Sequence, residues 1–255
     1  MPRAALVLSA GLGTRMRPLT ERIPKALVPV AGRALVDHAL DRVAAALPRA
    51  VVNLHHFAPM LEAHLEGRHG PPKVDLSDER AALLDTGGAL AAAVGVLGEG
   101  AVAVLNSDAV FAGPEPLPCL IDAWPAAAGW ADLLMLLVPR AAARGYTRPG
   151  DFFLAEGAAP AAPGRRGARG GAPFVYTGAQ IVGPRARDIA AGIASETPAF
   201  SMNAVWDRLL AEGRLAAIAW PVGPGTGAPV GAWCDVGTPA GIAEAEEALA
   251  AWARR

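Results

Sequence analysis

Short apolar runs alternate with segments of helical period along this chain, and that alternation limits its fold more than any other feature. Ala4–Leu8, Val51–Leu54, Val74–Leu76, Val102–Leu105, Leu133–Val138, Phe174–Val182 and Ala216–Trp220 read as strands. Between the first two, residues 34–47 place Val36, Ala39, Leu40, Val43 and Leu47 on one face of an amphipathic helix. Residues 58–67 read as a second helix ending at Gly67, and residues 86–98 as a third starting near Thr86. The last segment has Thr238 as a helix N-cap and Pro239 at the first helical position, with Ile242, Ala245, Leu249 and Trp252 along one face. Strand–helix–strand order with short loops predicts an α/β, doubly wound sheet. Such sheets hold their ligands beyond the carboxyl ends of the strands.

Bulk composition removes several classes of partner. The 255 residues can bury a sizeable core, and a net charge of −1 offers no field to draw nucleic acid. No apolar run approaches the roughly 18 residues that span a bilayer, and the first run is too short for a secretory leader. Cys119 and Cys234 lie far apart without metal-ligand spacing. A reduced, cytoplasmic setting is expected, with neither nucleic acid nor membrane as partner.

The chemistry-bearing stretch is "LSAGLGTRMRPLTERIPKALVPVAGRAL", residues 8–35. Gly11 and Gly13 follow the first strand and let backbone N–H groups approach an anion. Arg15 can offer a two-pronged guanidinium to phosphate oxygens, and Lys25, after Pro24, a compact positive charge. The dinucleotide fingerprint fails here, because Met16 stands in the place of its third glycine. A plain glycine turn with solvated basic neighbours would look the same on the glycines alone.

Two aspartates follow apolar runs. The Val102–Leu105 strand ends in Asn106, Ser107 and Asp108. A carboxylate there costs free energy unless paired, and a magnesium ion on a substrate phosphate is one such partner. "WCDVGTPAGI" sets Asp235 between inward-facing Trp233 and Val236, just before a helix, as a second carboxylate for the same ion. Turn or helix-start aspartates are the plainer alternative for both. "SDERAALLDTGGAL" places Thr86, Gly87 and Gly88 at a helix start, suited to close contact with a base or sugar, with Glu79 and Arg80 able to read a base edge. His55 and His56 lack a third ligand nearby, and Ser9 and Ser107 lack a nucleophile-elbow motif. Residues 155–174, rich in Gly, Ala, Pro and Arg, read as an exposed hairpin loop. Its three arginines are more simply solvated than anion-binding.

Together these segments resemble the sugar-1-phosphate nucleotidylyltransferases. The opening stretch is similar to that family's long signature, G-x-G-T-R-(M/L)-x-P-L-T…P-K-(P/A)-L-(V/L)-P-(V/I). "LLDTGGAL" is similar to its L-x-T-(A/G)-G segment, "VLNSD" to its metal strand, "FVYTGAQIV" to its sugar-side strand, and "WCDVGTPAGIAEAE" to its W-x-D-(V/I)-G-T-P ending. The resemblance covers nearly the whole chain. It implies a Rossmann-like, doubly wound mixed sheet of the nucleotide-diphospho-sugar transferase type, as a single domain over residues 1–255 with an exposed loop about residues 157–172.

The implied reaction moves a nucleotidyl group, expected to be uridylyl from UTP, onto a sugar 1-phosphate with release of pyrophosphate. The resemblance places Ala10, Gly11, Gly13, Thr14 and Arg15 around the triphosphate and Lys25 at the α-phosphate. It places Asp108 and Asp235 on Mg2+, and Thr86 and Gly87 with Glu79 and Arg80 at the nucleoside. Gly88, Asn106, Asp151, Gly178 and Gln180 fall on the sugar side. The short length, without an appended left-handed β-helix, is most similar to the branch acting on N-acetylmuramate 1-phosphate in bacterial peptidoglycan recycling. Related pairs are mannose 1-phosphate with GTP, glucose 1-phosphate with dTTP and phosphocholine with CTP. A non-catalytic nucleotide-sugar sensor on the same fold would need a broken phosphate or metal set. A monomer or weak homodimer is expected. The chain departs from the pattern at Ala82, where many relatives carry glutamate, at Ala89, and in lacking a sugar-side Glu-Lys pair, for which Asp151 is the nearest acidic residue.

Overall fold

The computed structural model describes residues 1–155, 160–220 and 230–255. Its centre is a nine-stranded mixed sheet. Lys73–Asp78, Arg49–Leu54, Ala5–Leu8 and Val102–Asn106 run parallel in that spatial order, and Phe174–Val182 continues the sheet antiparallel to Val102–Asn106. Leu133–Pro139 pairs antiparallel with Phe174–Val182 and parallel with Leu215–Ala219.

Both faces of the sheet are covered because its strands are apolar on both sides. Ala5, Val7, Val52 and Leu54 meet the helices Leu35–Ala44, Ala58–Glu66 and Pro116–Ala128 through Leu40, Leu61 and Trp124. Leu6, Val51, Val102 and Val104 face the helices Asp85–Ala92, Pro184–Glu196 and Asn203–Ala211 through Leu90, Ile189 and Leu209. A third core lies under the helix Pro239–Ala253. There Ala245 and Ala248 pack on Val236 and on Val110 and Cys234 of a small sheet made by Ala109–Ala112, Ala232–Asp235 and Ala143–Arg144. Among the described residues no helix is long and apolar enough to cross a membrane.

Several local expectations change. The expected helix over 86–98 is two pieces, Asp85–Ala92 and Val94–Leu97. Thr238 occupies the N-cap position in extended conformation, but its side chain makes no capping hydrogen bond. The loop at 155–174 pairs Gly164–Arg165 with Phe152–Phe153, while residues 156–159 lie outside the described residues. Arg165 there is not merely solvated. It donates to Asp207 Oδ1 at 2.7 Å and lies over the rings of Phe152 and Trp206.

Candidate active site

The parallel strands end at a cleft of about 410 Å3, and the glycine turn forms one wall of it. Gly13 has φ of 63°, a conformation glycine adopts at no steric cost. A Cβ there would sit 2.9 Å from Thr20 Cγ2 and 3.0 Å from Lys25 Cβ, so the position also demands the missing side chain. Thr20 Oγ1 donates to the Gly13 carbonyl at 2.7 Å and closes the turn. Met16, in place of a third glycine, is fully buried in the third core and anchors the turn from below. Gly11, Thr14 and Arg15 are left exposed on the cleft side.

Lys25 lines the same cleft. Its Nζ donates to Asp108 Oδ2 at 2.6 Å, with both side chains partly buried. Asp108 follows the strand Val102–Asn106, and its carbonyl accepts from the Val236 amide at 3.0 Å. That bond and the antiparallel register of Asp235 with Ala109 bring two residues distant in sequence to one place. Burial pushes the Asp235 carboxyl above its usual range, and the negative charge of Asp108 adds to the shift. Lys25, Arg15 and Arg148 pull it back down. Gly237 makes this crowding possible, because a Cβ there would lie 2.9 Å from Asp235 Oδ1 and 3.0 Å from both terminal nitrogens of Arg15.

The opposite wall is a polar relay across three strand ends. The Ser9 amide donates to Asn53 Oδ1 at 2.6 Å, and Asn53 Nδ2 donates to Glu79 Oε1 at 3.1 Å. Glu79 is 3% exposed, and burial raises its carboxyl above the ordinary value. Its Oε2 and the Ser9 hydroxyl are buried without a partner among the described residues. Buried polar atoms are ordinarily satisfied, so unpaired ones lining a cleft mark where a ligand can supply the partner. Leu83, 40% exposed, and Thr86 complete this wall.

Thus Ala10, Gly11, Gly13, Thr14, Arg15, Lys25, Glu79, Thr86, Asn106 and Asp108 line one cleft, with Asp235 against its Gly237 edge. Other expected site residues are placed elsewhere. The amides of Gly87 and Gly88 both donate to the Phe200 carbonyl, and added Cβ atoms would lie 2.4 Å from the Phe200 ring and 2.2 Å from the Pro198 carbonyl. These glycines admit a neighbouring segment of the chain rather than a ligand. Arg80 turns away to Asp78 and Glu62. Asp151 accepts from the Tyr146 hydroxyl at 2.8 Å and the Tyr176 amide at 3.1 Å, which ties it to the protein. Gln180 is buried, and its Oε1 accepts from Trp206 Nε1 at 2.9 Å, so it does not face the cleft. Gly178 acts through Asn106, since its missing Cβ would lie 2.8 Å from Asn106 Cβ.

Asn53, Leu83 and Asp85 are cleft residues that the sequence reading missed. Asp85 holds φ of 58° and accepts the Thr86 amide on its own Oδ1. A non-glycine left-handed residue at a cleft is a conformation held by its surroundings. The sequence signals were an asparagine interrupting the apolar run "VVNL" and an aspartate directly before Thr86.

Comparison with known proteins identifies the family. The nucleotidyl transferase family model matches residues 4–147, more than half of the chain. The chain belongs to the nucleotidyl transferase family. It is 41% identical over 259 aligned residues to N-acetylmuramate alpha-1-phosphate uridylyltransferase of Caulobacter vibrioides, covering 98% of each chain. It is 29% identical to the Neisseria meningitidis serogroup B protein of the same name, covering 97% of this chain and 99% of that one. Among solved structures, UDP-glucose pyrophosphorylase complexed with UDP-glucose superposes with a TM-score of 0.76 over the full length of both chains. At 16% identity it shares the fold.

Proposed function

We propose that this enzyme transfers a uridylyl group from UTP to N-acetylmuramate 1-phosphate, releasing pyrophosphate. The carrying observation is the convergence of Arg15, Lys25, Asp108 and Asp235 on one cleft from four separated places in the chain. Near-full-length similarity to the two uridylyltransferases supports the choice of base and sugar.

The acceptor phosphate is already an anion at neutral pH, so no general base is required. One of its oxygens bonds to the α-phosphorus while the bond to the pyrophosphate oxygen breaks in line. The barrier is charge repulsion and alignment, which preorganised cations lower. The amides of the glycine turn and the Arg15 guanidinium hold the triphosphate. Lys25, kept extended by Asp108 before substrate arrives, turns its charge to the α-phosphate and the incoming phosphate. Asp108 and Asp235 fit a magnesium ion, because hard carboxylate oxygens are its preferred protein donors and two facing carboxylates need a cation between them. When bound, the ion supplies charge neutralisation at the reacting phosphates. The wall of Asn53, Glu79, Leu83 and Thr86 receives the base.

Pyrophosphate release from N-acetylmuramate 1-phosphate, measured with UTP, CTP, GTP and dTTP in turn, tests the reading. UTP should be strongly preferred. Preference for another nucleotide would remove the uridylyl assignment while leaving nucleotidyl transfer.

A further inference from the structure

The segment between Leu133–Pro139 and Phe174–Val182 lies at the ligand end of the sheet. Both Leu133–Pro139 and Val102–Asn106 run antiparallel to Phe174–Val182, so Pro139 and Asn106 end on the same side. The segment carries Arg140, Arg144, Arg148, Arg165, Arg166 and Arg169. Arg144 pairs with Glu247 at 3.7 Å and Arg165 with Asp207 at 2.7 Å. The remaining four have no carboxylate partner among the described residues, and the Asp151 carboxylate is already taken by Tyr146 and Tyr176.

Two of those four donate within the loop: Arg140 Nε to the Arg148 carbonyl and Arg166 Nε to the Gly150 carbonyl. Arg148 and Arg169 are both exposed over a ring, Tyr146 at 4.8 Å and Phe153 at 4.7 Å, and neither side chain donates to an acceptor among the described residues. Arg148 is the one beside the site, and its charge acts on the Asp235 carboxyl. Tyr146 is itself fixed by its bond to Asp151 and by packing on Trp233, with ring centroids 6.2 Å apart. The loop is gripped against the cleft at Gly145, where a Cβ would lie 2.6 Å from the Asp235 carbonyl. A guanidinium resting on a ring with its donors unused can pair two-pronged with a carboxylate. Arg15 and Lys25 line the cleft and are the cations assigned above to the phosphates, which leaves Arg148 for a different anion.

We propose that Arg148 binds a carboxylate on the acceptor sugar and makes the enzyme select acidic sugar 1-phosphates over neutral ones. The inference rests on the proposed transfer to N-acetylmuramate 1-phosphate, whose lactyl ether carries a carboxylate and which otherwise matches N-acetylglucosamine 1-phosphate. The two UDP-sugars differ in that group alone.

The test is a calorimetric binding titration of UDP-N-acetylmuramate and UDP-N-acetylglucosamine to the intact enzyme. Wild type should bind the acidic ligand about tenfold to a hundredfold more tightly, the range expected for a hydrogen-bonded charged contact. Arg148→Met, which keeps an apolar contact with Tyr146, should abolish that preference, and Arg148→Lys should restore part of it. Arg169→Met should keep the preference, which separates a specific contact from a diffuse positive field. Equal wild-type affinities, or equal weakening of both ligands in Arg148→Met, would overturn the proposal. Wild-type pyrophosphate release with UTP and N-acetylmuramate 1-phosphate reports separately on the parent reading. Its absence beside a retained binding preference would reject transfer and support the carboxylate contact.

Discussion

Lys25→Met removes one positive charge while keeping an unbranched stem of similar length. In the wild type that charge lies 2.6 Å from Asp108 Oδ2, with the two side chains 13% and 30% exposed. A partly solvated ion pair contributes about 1 kcal/mol or less to folding, so the melting temperature should fall by no more than about 2–4 °C in a chain of this size. Catalysis should respond quite differently. A fixed cation aimed at charge developing in the transition state contributes about 10² to 10³ in rate, or about 2.7–4 kcal/mol. The Asp235 carboxyl, already raised by burial and by Asp108, loses one of the cations that lower it. The ionised form needed for metal binding is then lost at a higher pH, so the acid limb of the activity profile should move upward. Pyrophosphate release at saturating substrates, paired with a thermal melt, reads both effects. A loss of less than about tenfold, ~1.4 kcal/mol, in the folded variant would refute the role given to Lys25.

Asp235→Asn should abolish turnover yet stabilise the metal-free protein at neutral pH. The folded-state carboxyl is raised, so its contribution to stability is present in acid and lost as pH rises through that raised value; melts from acid to neutral pH should show the variant's advantage growing with pH. Gly87→Ala forces Phe200 away from a Cβ placed 2.4 Å from its ring, and overpacking of this kind costs about 1–3 kcal/mol. Chemical denaturation should read that loss, while affinity for UTP in the folded fraction stays near wild type. Arg165→Ala breaks its contacts with Asp207, Phe152 and Trp206 and should lower the melting temperature without changing the KM for either substrate.

The sequence exposed what is local and hid what depends on distant contacts. The glycine turn was legible because one contiguous stretch carries both the left-handed backbone at Gly13 and the charges of Arg15 and Lys25. Asp108 and Asp235 were legible as strand-end carboxylates. Their meeting depends on the Val236–Asp108 backbone bond, which no spacing rule gives. Gly87 and Gly88 looked like ligand glycines because the segment that fills the space they leave, Pro198–Phe200, is more than a hundred residues downstream. Gln180 sits on a strand whose neighbours face the ligand end, but the indole of Trp206 claims its amide. The helix Pro116–Ala128 was hidden by Pro118 and Pro125, which suppress the usual helical signal although the interior proline is accommodated. The relay from Ser9 through Asn53 to Glu79 joins three strand ends and exists only once the parallel register is set.

The most direct measurement follows UDP-N-acetylmuramate formation from UTP, N-acetylmuramate 1-phosphate and magnesium, comparing wild type with Asp108→Asn. The account predicts stoichiometric product and pyrophosphate from the wild type, and a folded variant with turnover reduced by about 10² or more. Full activity in Asp108→Asn at saturating magnesium would contradict the claim that this cleft performs the transfer.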